Sequence, residues 1–168
     1  NVIITANGVT DYSLHFTQSY VYLDGMEVRS ASGSCLGVAL RGAVRLGPNL
    51  RFGAATSGDH IHASSGGQIN NLDNGYTISG GAVNHVSCGP GSGQARLTGT
   101  ITLSGTPAFS GAFAVSRGGT NLDMNGVVIS GSGTGKRFTV EPGGGIRTGT
   151  DSLTALPGNS AGSIDPGG

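Results

Sequence analysis

The sequence has few of the residues that most catalytic and nucleic-acid-binding proteins depend on. It contains no tryptophan, two cysteines and four histidines, and only 11% of its 168 residues are charged, with a net charge of zero. The absence of a basic stripe argues against a nucleic-acid partner. The absence of a long apolar run argues against a membrane-spanning helix. We therefore expect neither nucleic acid nor a membrane among its partners.

Signals for α-helices are also nearly absent. Glycine recurs every few residues, 33 in all, and each glycine in a helix interior costs about 1 kcal/mol relative to alanine. The glycines do not follow the every-third-residue pattern of collagen. Instead, short β-branched and aromatic clusters ended by Gly, Asn, Asp or Ser predict many short strands and tight turns. These clusters lie at 2–5, 20–23, 76–78, 100–103, 113–115, 127–129 and 137–140.

A repeat organises the middle of the chain. The segment 71–80 recurs with one insertion as 121–131, and an aliphatic-Ser-Gly corner recurs at Ile78, Leu103 and Ile129. These corners lie 25 and 26 residues apart. A period near 25 predicts an all-β parallel β-helix with coils of about 25 residues, in which each strand pairs with its counterpart one coil away and these aliphatic residues stack inward. Polar and glycine residues are expected at the corners. They are Asn71, Asp73, Gly75, Gly80, Gly105, Asn121, Asp123, Gly126 and Gly131.

The repeat divides the chain into three parts. Residues 1–50 fit the period poorly, and Asp24-Gly25 between two strand-like runs predicts an antiparallel hairpin with a type I′ turn. We expect an N-terminal β cap over 1–50, coils over 51–149 and an extended tail over 150–168. Because the chain starts at Asn1 without a signal-peptide pattern, we also expect a processed protein or a piece of a longer one.

The cysteines and histidines do not form a recognisable metal motif. Cys35 and Cys88 lack the spacing of a zinc site, and the sequence leaves open whether they are two buried apolar side chains or a disulfide. His60 and His62 are predicted to share one strand face, with His85 about one coil further along. Three imidazoles sharing a metal is an alternative interpretation, but we expect no metal and no cofactor.

The C-terminal stretch carries a resemblance. Its sequence Leu-Pro-Gly-Asn-Ser-Ala-Gly-Ser at 156–163, followed by Gly167-Gly168, resembles the tail of short glycine-rich phage and prophage fibre proteins. The upstream coils resemble those of phage tailspikes, although the chain lacks their long helix, and the resemblance as a whole covers residues 50–168. The resemblance implies a homotrimer on a virion surface, among other virion proteins, that meets host surface polysaccharide. It supplies no catalytic motif for this sequence.

Aromatic residues near the N-terminus indicate where a sugar would bind. Aromatic rings stack on the apolar faces of sugars, and Tyr20 and Tyr22 are predicted to share one strand face. Tyr12, Tyr20, Tyr22, His60 and His62 are therefore the candidate glycan-binding residues. Packing in the core or between subunits is the alternative role for the tyrosines.

Few carboxylates are placed to catalyse a reaction. A glycosidase needs two carboxyl groups about 5 to 9.5 Å apart, and Asp59, Asp73 and Asp123 are the only plausible acids. Asp73 and Asp123 are predicted to lie about 10 Å apart, but their shared corner motif favours a structural role. We therefore expect a structural and receptor-binding segment of a phage-type fibre. The alternatives are a polysaccharide depolymerase (a glycoside hydrolase or lyase), a bacterial surface adhesin or a purely structural solenoid.

Overall fold

The chain forms a three-sided parallel β-solenoid of about six coils. The computed structural model describes residues 2–6, 11–71, 75–149 and 152–165. Each coil contributes one strand to each of three sheets, and every paired strand in these residues runs parallel to its neighbours. Equivalent positions in successive coils, such as Asp24 and Asn49 or Ser34 and Asp59, are separated by 25 positions in the sequence. The prediction of an all-β parallel β-helix is confirmed, together with its coil length.

The strands of each sheet follow one another coil by coil. Sheet A contains β1 (Val2–Ala6), β4 (Met26–Ser30), β7 (Arg51–Ala55), β10 (Tyr76–Ile78), β13 (Gly99–Leu103) and β16 (Val127–Ser130). Sheet B contains β2 (Tyr12–Thr17), β5 (Ser34–Ala39), β8 (Ile61–Ala63), β11 (Ala82–Cys88), β14 (Ala108–Ser116), β17 (Thr134–Val140) and β19 (Ser163–Ile164). Sheet C contains β3 (Tyr20–Leu23), β6 (Ala43–Leu46), β9 (Gln68–Asn71), β12 (Gln94–Leu97), β15 (Asn121–Asp123) and β18 (Gly145–Arg147).

Columns of inward-facing apolar side chains fill the interior. In sheet A, Val28 pairs with Phe52, Phe52 with Ile78 and Ile78 with Leu103, and all four are buried. Each fully buried aliphatic or aromatic side chain contributes about 1.5 to 3 kcal/mol relative to an exposed one. The stack of short strands therefore gains its stability from contacts between coils.

The predicted column of Ile78, Leu103 and Ile129 is right for its first two members and wrong for the third. Ile129 pairs with Ile101, not with Leu103, and is only partly buried. Ile129 lies 28 residues after its partner Ile101, whereas the repeat places it 26 residues after Leu103, so the observed pairing is shifted by two residues from the predicted one. Such a shift keeps the same face inward because side chains alternate with a period of two.

The matching segments 71–80 and 121–131 are not at equivalent places in the coil. Asn71 ends β9 and pairs with Leu97, whereas Asn121 begins β15 and pairs with Gln94. Asn71, Asn121 and Asp123 therefore lie in strands, which corrects the prediction that they are corner residues. Asp123 still supports the next corner, because its Oδ1 accepts a hydrogen bond from the amide of Asn125 at 3.0 Å. Asp73 lies outside the described residues.

The predicted corner glycines do lie between strands, and Gly75 shows why. Gly75, Gly105, Gly126 and Gly131 have φ between +64° and +94°, a region that side chains other than glycine rarely adopt. Gly75 is also pressed against the coil above, where a Cβ would overlap the carbonyl oxygen of Thr100. Gly80 closes its corner by a similar approach to the backbone of Ala54.

The N-terminal region joins the solenoid directly. The predicted antiparallel hairpin at Asp24-Gly25 is wrong, because β3 pairs in parallel with β6 and β4 pairs in parallel with β1 and β7. Asp24-Gly25 is instead a coil corner, where the Asp24 carboxylate accepts the amide of Asn49 at 2.7 Å from the next coil. The coil register thus extends through residues assigned above to a cap.

The C-terminal segment closes the last coil. A single 3₁₀ turn at Leu153–Ala155 precedes β19, which pairs with β17. Before β19, the Asn159 side chain accepts the amide of Gly135 at 2.8 Å. Within the described ranges, no helix is long and apolar enough to cross a membrane.

Candidate functional site

The outer face of sheet C carries two straight columns of side chains. The strand register places Tyr20, Ala43, Gln68, Gln94, Asn121 and Gly145 in one column, here called the amide column. It places Tyr22, Arg45, Asn70, Arg96, Asp123 and Arg147 in the other, here called the arginine column. Strands repeat about every 4.8 Å, so each column runs for about 24 Å.

Two exposed tyrosines begin these columns. Tyr20 is 70% exposed and Tyr22 is 52% exposed, while Leu23 at the end of the strand is buried. The prediction that Tyr20 and Tyr22 share a strand face is confirmed by the alternation of β3. Both rings therefore face solvent with their apolar surfaces available.

The arginine column is positively charged and lightly paired. Arg96 meets Asp123 at 3.9 Å through its Nε, and the Arg96 side chain is 62% exposed. The Nε of Arg45 is buried and finds no hydrogen-bond acceptor among the residues that the structure describes. Guanidinium groups offer several donors in a fixed plane, and the exposed Arg96 and Arg147 have donors that face solvent.

A groove on sheet B gathers other predicted residues. Its walls include Tyr12, Asp59, His62, Asn84 and Arg117, and it encloses about 450 Å³. The Tyr12 ring stacks on His15 with centroids 4.6 Å apart and lies 6.0 Å from the ring of His62. The ring lies flat because the neighbouring strand carries Gly37, where a Cβ would overlap it.

The carboxylate of Asp59 is fully committed to the protein. One oxygen accepts the amide of Asn84 at 3.2 Å and its side chain at 2.7 Å. The other accepts the hydroxyl of Ser87, which in turn bonds His62 Nδ1 at 2.7 Å. Burial alone would raise the pKa of Asp59, but the hydrogen bonds from His62, Ser87 and Asn84 hold it below its usual value. A carboxylate that is ionised, and whose two oxygens already accept hydrogen bonds from the protein, suits a structural role.

Asp59 belongs to a polar stack that ties coils together. Its own amide donates to Ser34 Oγ at 2.9 Å one coil earlier, and Asn84 accepts the amide of Ala112 at 2.8 Å one coil later. Asp123 lies on sheet C, away from this stack on sheet B. The structure therefore does not bring Asp59 and Asp123 together as a catalytic pair, and the third acid, Asp73, is outside the described residues.

His60 is a core residue, which corrects its prediction as a glycan-binding residue. It is fully buried, whereas His62 lies on the outer face of β8. The chain bends at His60 just before the strand begins, so the two-residue alternation does not extend back to it. His60 Nδ1 lies 3.2 Å from His85 Nδ1, and His85 Nε2 lies 2.6 Å from the Tyr76 hydroxyl.

The buried histidines are held neutral. Burial lowers the pKa of His60 to about 4. Burial, and secondarily the proximity of His60, lowers the pKa of His85 well below its usual value. Phe52, Phe109 and Phe113 surround the two imidazoles. No group of three or more His, Cys, Asp or Glu side chains in the described ranges is placed to hold a metal ion.

Both cysteines are buried free thiols. Cys35 lies on β5 and Cys88 ends β11, so they occupy different coils of sheet B. Burial raises the pKa of each thiol to about 12. Of the two interpretations that the sequence leaves open, the structure shows buried apolar side chains and no disulfide.

Sequence reasoning missed the polar members of the sheet C face. These are Arg45, Gln68, Asn70, Gln94, Arg96 and Arg147. The available signal is the coil length, because Arg45, Asn70 and Arg96 recur at nearly that spacing. This spacing can be interpreted only when β6, β9 and β12 are known to be strands of one sheet.

Comparisons with known proteins add no relative to this description. No family model, no curated protein and no solved structure matches the chain.

Proposed function

We propose that this chain is a structural and receptor-binding segment of a phage-type fibre or spike, which contacts host surface polysaccharide through the outer face of sheet C. The observation that carries the proposal is the exposure of Tyr20 and Tyr22 side by side at the head of two polar columns. Tyrosine offers an apolar ring and a polar hydroxyl at low entropic cost, which suits a sugar with both kinds of surface.

The solenoid supports this function by its rigidity. The backbone that carries each outward side chain is held by a strand that is hydrogen-bonded to its neighbours, so the columns need little ordering of the backbone when a ligand binds. A long polymer would then lie along the columns, across the strands, and meet one row of side chains per coil. In the groove on sheet B, by contrast, Asp59 and Asn84 are hydrogen-bonded to each other. This gives the groove a structural role and favours sheet C as the face that binds polysaccharide.

The fibre assignment includes assembly as a homotrimer at the virion surface. Val2 and Ile3 on β1 and Val128 on β16 are large exposed apolar side chains of sheet A. They lie on the two edge strands of that sheet, so a partner subunit that covered sheet A would bury apolar side chains at both ends of it. Sheet A would then face the partner subunits and leave sheet C free for the receptor. A monomer in solution would instead favour a lone surface adhesin that uses the same sheet C face.

The test measures binding of the full chain to a panel of surface polysaccharides, with its mass determined by light scattering. Tyr20→Ala and Tyr22→Ala are expected to weaken binding by about threefold to tenfold each. Tyr12→Ala, in the sheet B groove, is the matched control and is expected to leave binding intact. Loss of binding in Tyr12→Ala alone would place the site in the groove and refute the proposal.

A further inference from the structure

The arginines of sheet C recur on every second coil. The register gives the order Arg45, Asn70, Arg96, Asp123 and Arg147 along the arginine column. Two coils correspond to about 10 Å. The cations are therefore spaced evenly, with an amide between the first pair and a carboxylate between the second pair.

From this order we infer that the sheet C face binds an extended acidic polysaccharide that carries a carboxylate on every second sugar. The inference rests on the proposed function and specifies its ligand class. One sugar of an extended chain advances by a distance similar to one coil, so alternate sugars would meet Arg45, Arg96 and Arg147. A guanidinium donates to a carboxylate in a two-pronged, charge-assisted geometry.

The net charge of the face supports an anionic partner. Three guanidinium groups and one carboxylate leave the arginine column with an excess of positive charge, although the whole chain is neutral. Arg96 and Arg147 are exposed, and the contact of Arg96 with Asp123 at 3.9 Å is too long for a close ion pair. These arginines therefore keep donors free for a ligand.

Asp123 makes the face selective for charge spacing. It stands between Arg96 and Arg147, where a polymer with a carboxylate on every sugar would place a negative charge. Specificity often depends on such a repulsive element, because it lowers the affinity for the wrong ligand and leaves the affinity for the right ligand unchanged. Asn70 occupies the corresponding place between Arg45 and Arg96 and suits an uncharged sugar that offers hydroxyl groups.

The same spacing argues against a nucleic acid. Single-stranded nucleic acid carries a phosphate on each nucleotide. It would therefore place a negative charge close to the Asp123 carboxylate, as a polysaccharide with a charge on every sugar does. The two tyrosines lie together at one end of the face and not at every coil, whereas sequence-independent strand binding uses aromatic rings for successive bases. A single-stranded DNA is therefore a useful competitor in the test.

The experiment compares four polymers of defined charge on the full chain. Hyaluronan has a carboxylate on alternate sugars, polygalacturonate has one on every sugar, and chito-oligosaccharide has none; single-stranded DNA is the fourth. We expect hyaluronan to bind tightest and its affinity to fall as the salt concentration is raised, since salt screens exposed charges. Binding of polygalacturonate or DNA as tight as that of hyaluronan would overturn the inference.

Variants assign the effect to residues. Arg96→Gln is expected to weaken hyaluronan binding about tenfold, whereas Arg51→Gln, an exposed arginine on sheet A, is the matched control and should not. Asp123→Asn is expected to reduce the difference in affinity between hyaluronan and polygalacturonate. Circular dichroism checks that each variant is folded. The inference is contradicted if Asp123→Asn leaves the difference in affinity between the two polymers unchanged, or if Arg96→Gln leaves hyaluronan binding unchanged.

The outcomes separate this inference from the function it rests on. Tyr20-dependent binding of chito-oligosaccharide, with no gain from hyaluronan, would leave a glycan-binding face and reject the acidic ligand. Failure of all three carbohydrates to bind would reject both. Tight binding of DNA that depends on Arg96 would reject both and identify the face as a nucleic-acid site.

Discussion

The buried pair of His60 and His85 makes the fold sensitive to mild acid. The pKa of His60 is lowered by burial to about 4, against about 6.5 in the unfolded chain. Between these two values the unfolded state binds a proton that the folded state excludes. Stability is therefore complete above about pH 6.5 and falls as the pH is lowered towards 4.

The size of this effect follows from the difference between the two pKa values of His60. That difference limits the total loss in the free energy of unfolding to about 3 kcal/mol. Between pH 7 and pH 5, His60 alone lowers the free energy of unfolding by about 2 kcal/mol. His85, whose pKa is also lowered, adds to the loss. The lowered pKa of Asp59 acts in a separate window, because its contribution is lost only below about pH 4.

Urea unfolding followed by circular dichroism at pH 7, 6 and 5 measures the effect. The double variant His60→Phe/His85→Phe removes both titrating groups and is expected to flatten the profile, whatever its stability at pH 7. His15→Gln, an exposed histidine, is the matched control and should keep the native profile. A flat native profile between pH 7 and 5, or the same slope in the double variant, would refute the reasoning.

Three further predictions concern glycine corners, thiols and the polar stack. Gly75→Ala is expected to lower the free energy of unfolding by at least about 3 kcal/mol, because positive φ and a backbone overlap both oppose the new Cβ. Gly25 has positive φ but open space around it, so Gly25→Ala should lower the free energy of unfolding by only about 1 to 2 kcal/mol in the same urea titration. Cys35 and Cys88, with pKa values near 12, should react with a thiol reagent at pH 8 only after unfolding, and rapid labelling of the native protein would contradict their burial. Asp59→Asn should lower the free energy of unfolding by about 2 kcal/mol, since it weakens charge-assisted hydrogen bonds, and an unchanged midpoint would argue against a structural carboxylate.

The fold class can be predicted from the sequence because the coil length leaves a periodic trace. Glycine at tight corners and short aliphatic strands recur at similar intervals, and Ile78 and Leu103 pair as the repeat predicts. The exact register cannot be predicted, because inward positions accept any aliphatic residue and coil lengths vary. The repeat therefore places Ile129 two residues away from its true partner, Ile101.

The N-terminal coils show a second limit of sequence reasoning. Residues 1–50 lack the repeated Asn, Gly and Ser motif, so only the local turn preference of Asp24-Gly25 remains to guide a prediction there. Local preference specifies a tight turn but not whether the next strand returns antiparallel or continues into another sheet. The pairing of β3 with β6 settles that question through contacts between distant parts of the sequence, such as Tyr22 with Arg45.

The candidate site can be predicted only in part for the same reason. Tyr20 and Tyr22 are neighbours on one strand, so their shared face follows from alternation alone. Arg45, Arg96 and Arg147 are far apart in sequence, and only the pairing of β6 to β18 through sheet C aligns them. The prediction for His60 is wrong because a bend before β8 breaks the alternation on which it relies.

The location of bound polysaccharide is the most direct test of the proposed site. Amide chemical shifts of the isotope-labelled chain would be recorded as hyaluronan hexasaccharide is added. We predict that the perturbed residues lie on the strands of sheet C, with Tyr20, Tyr22, Arg45 and Arg96 among them. Perturbations confined to the groove around Tyr12 and His62, or spread evenly over the three sheets, would contradict that prediction.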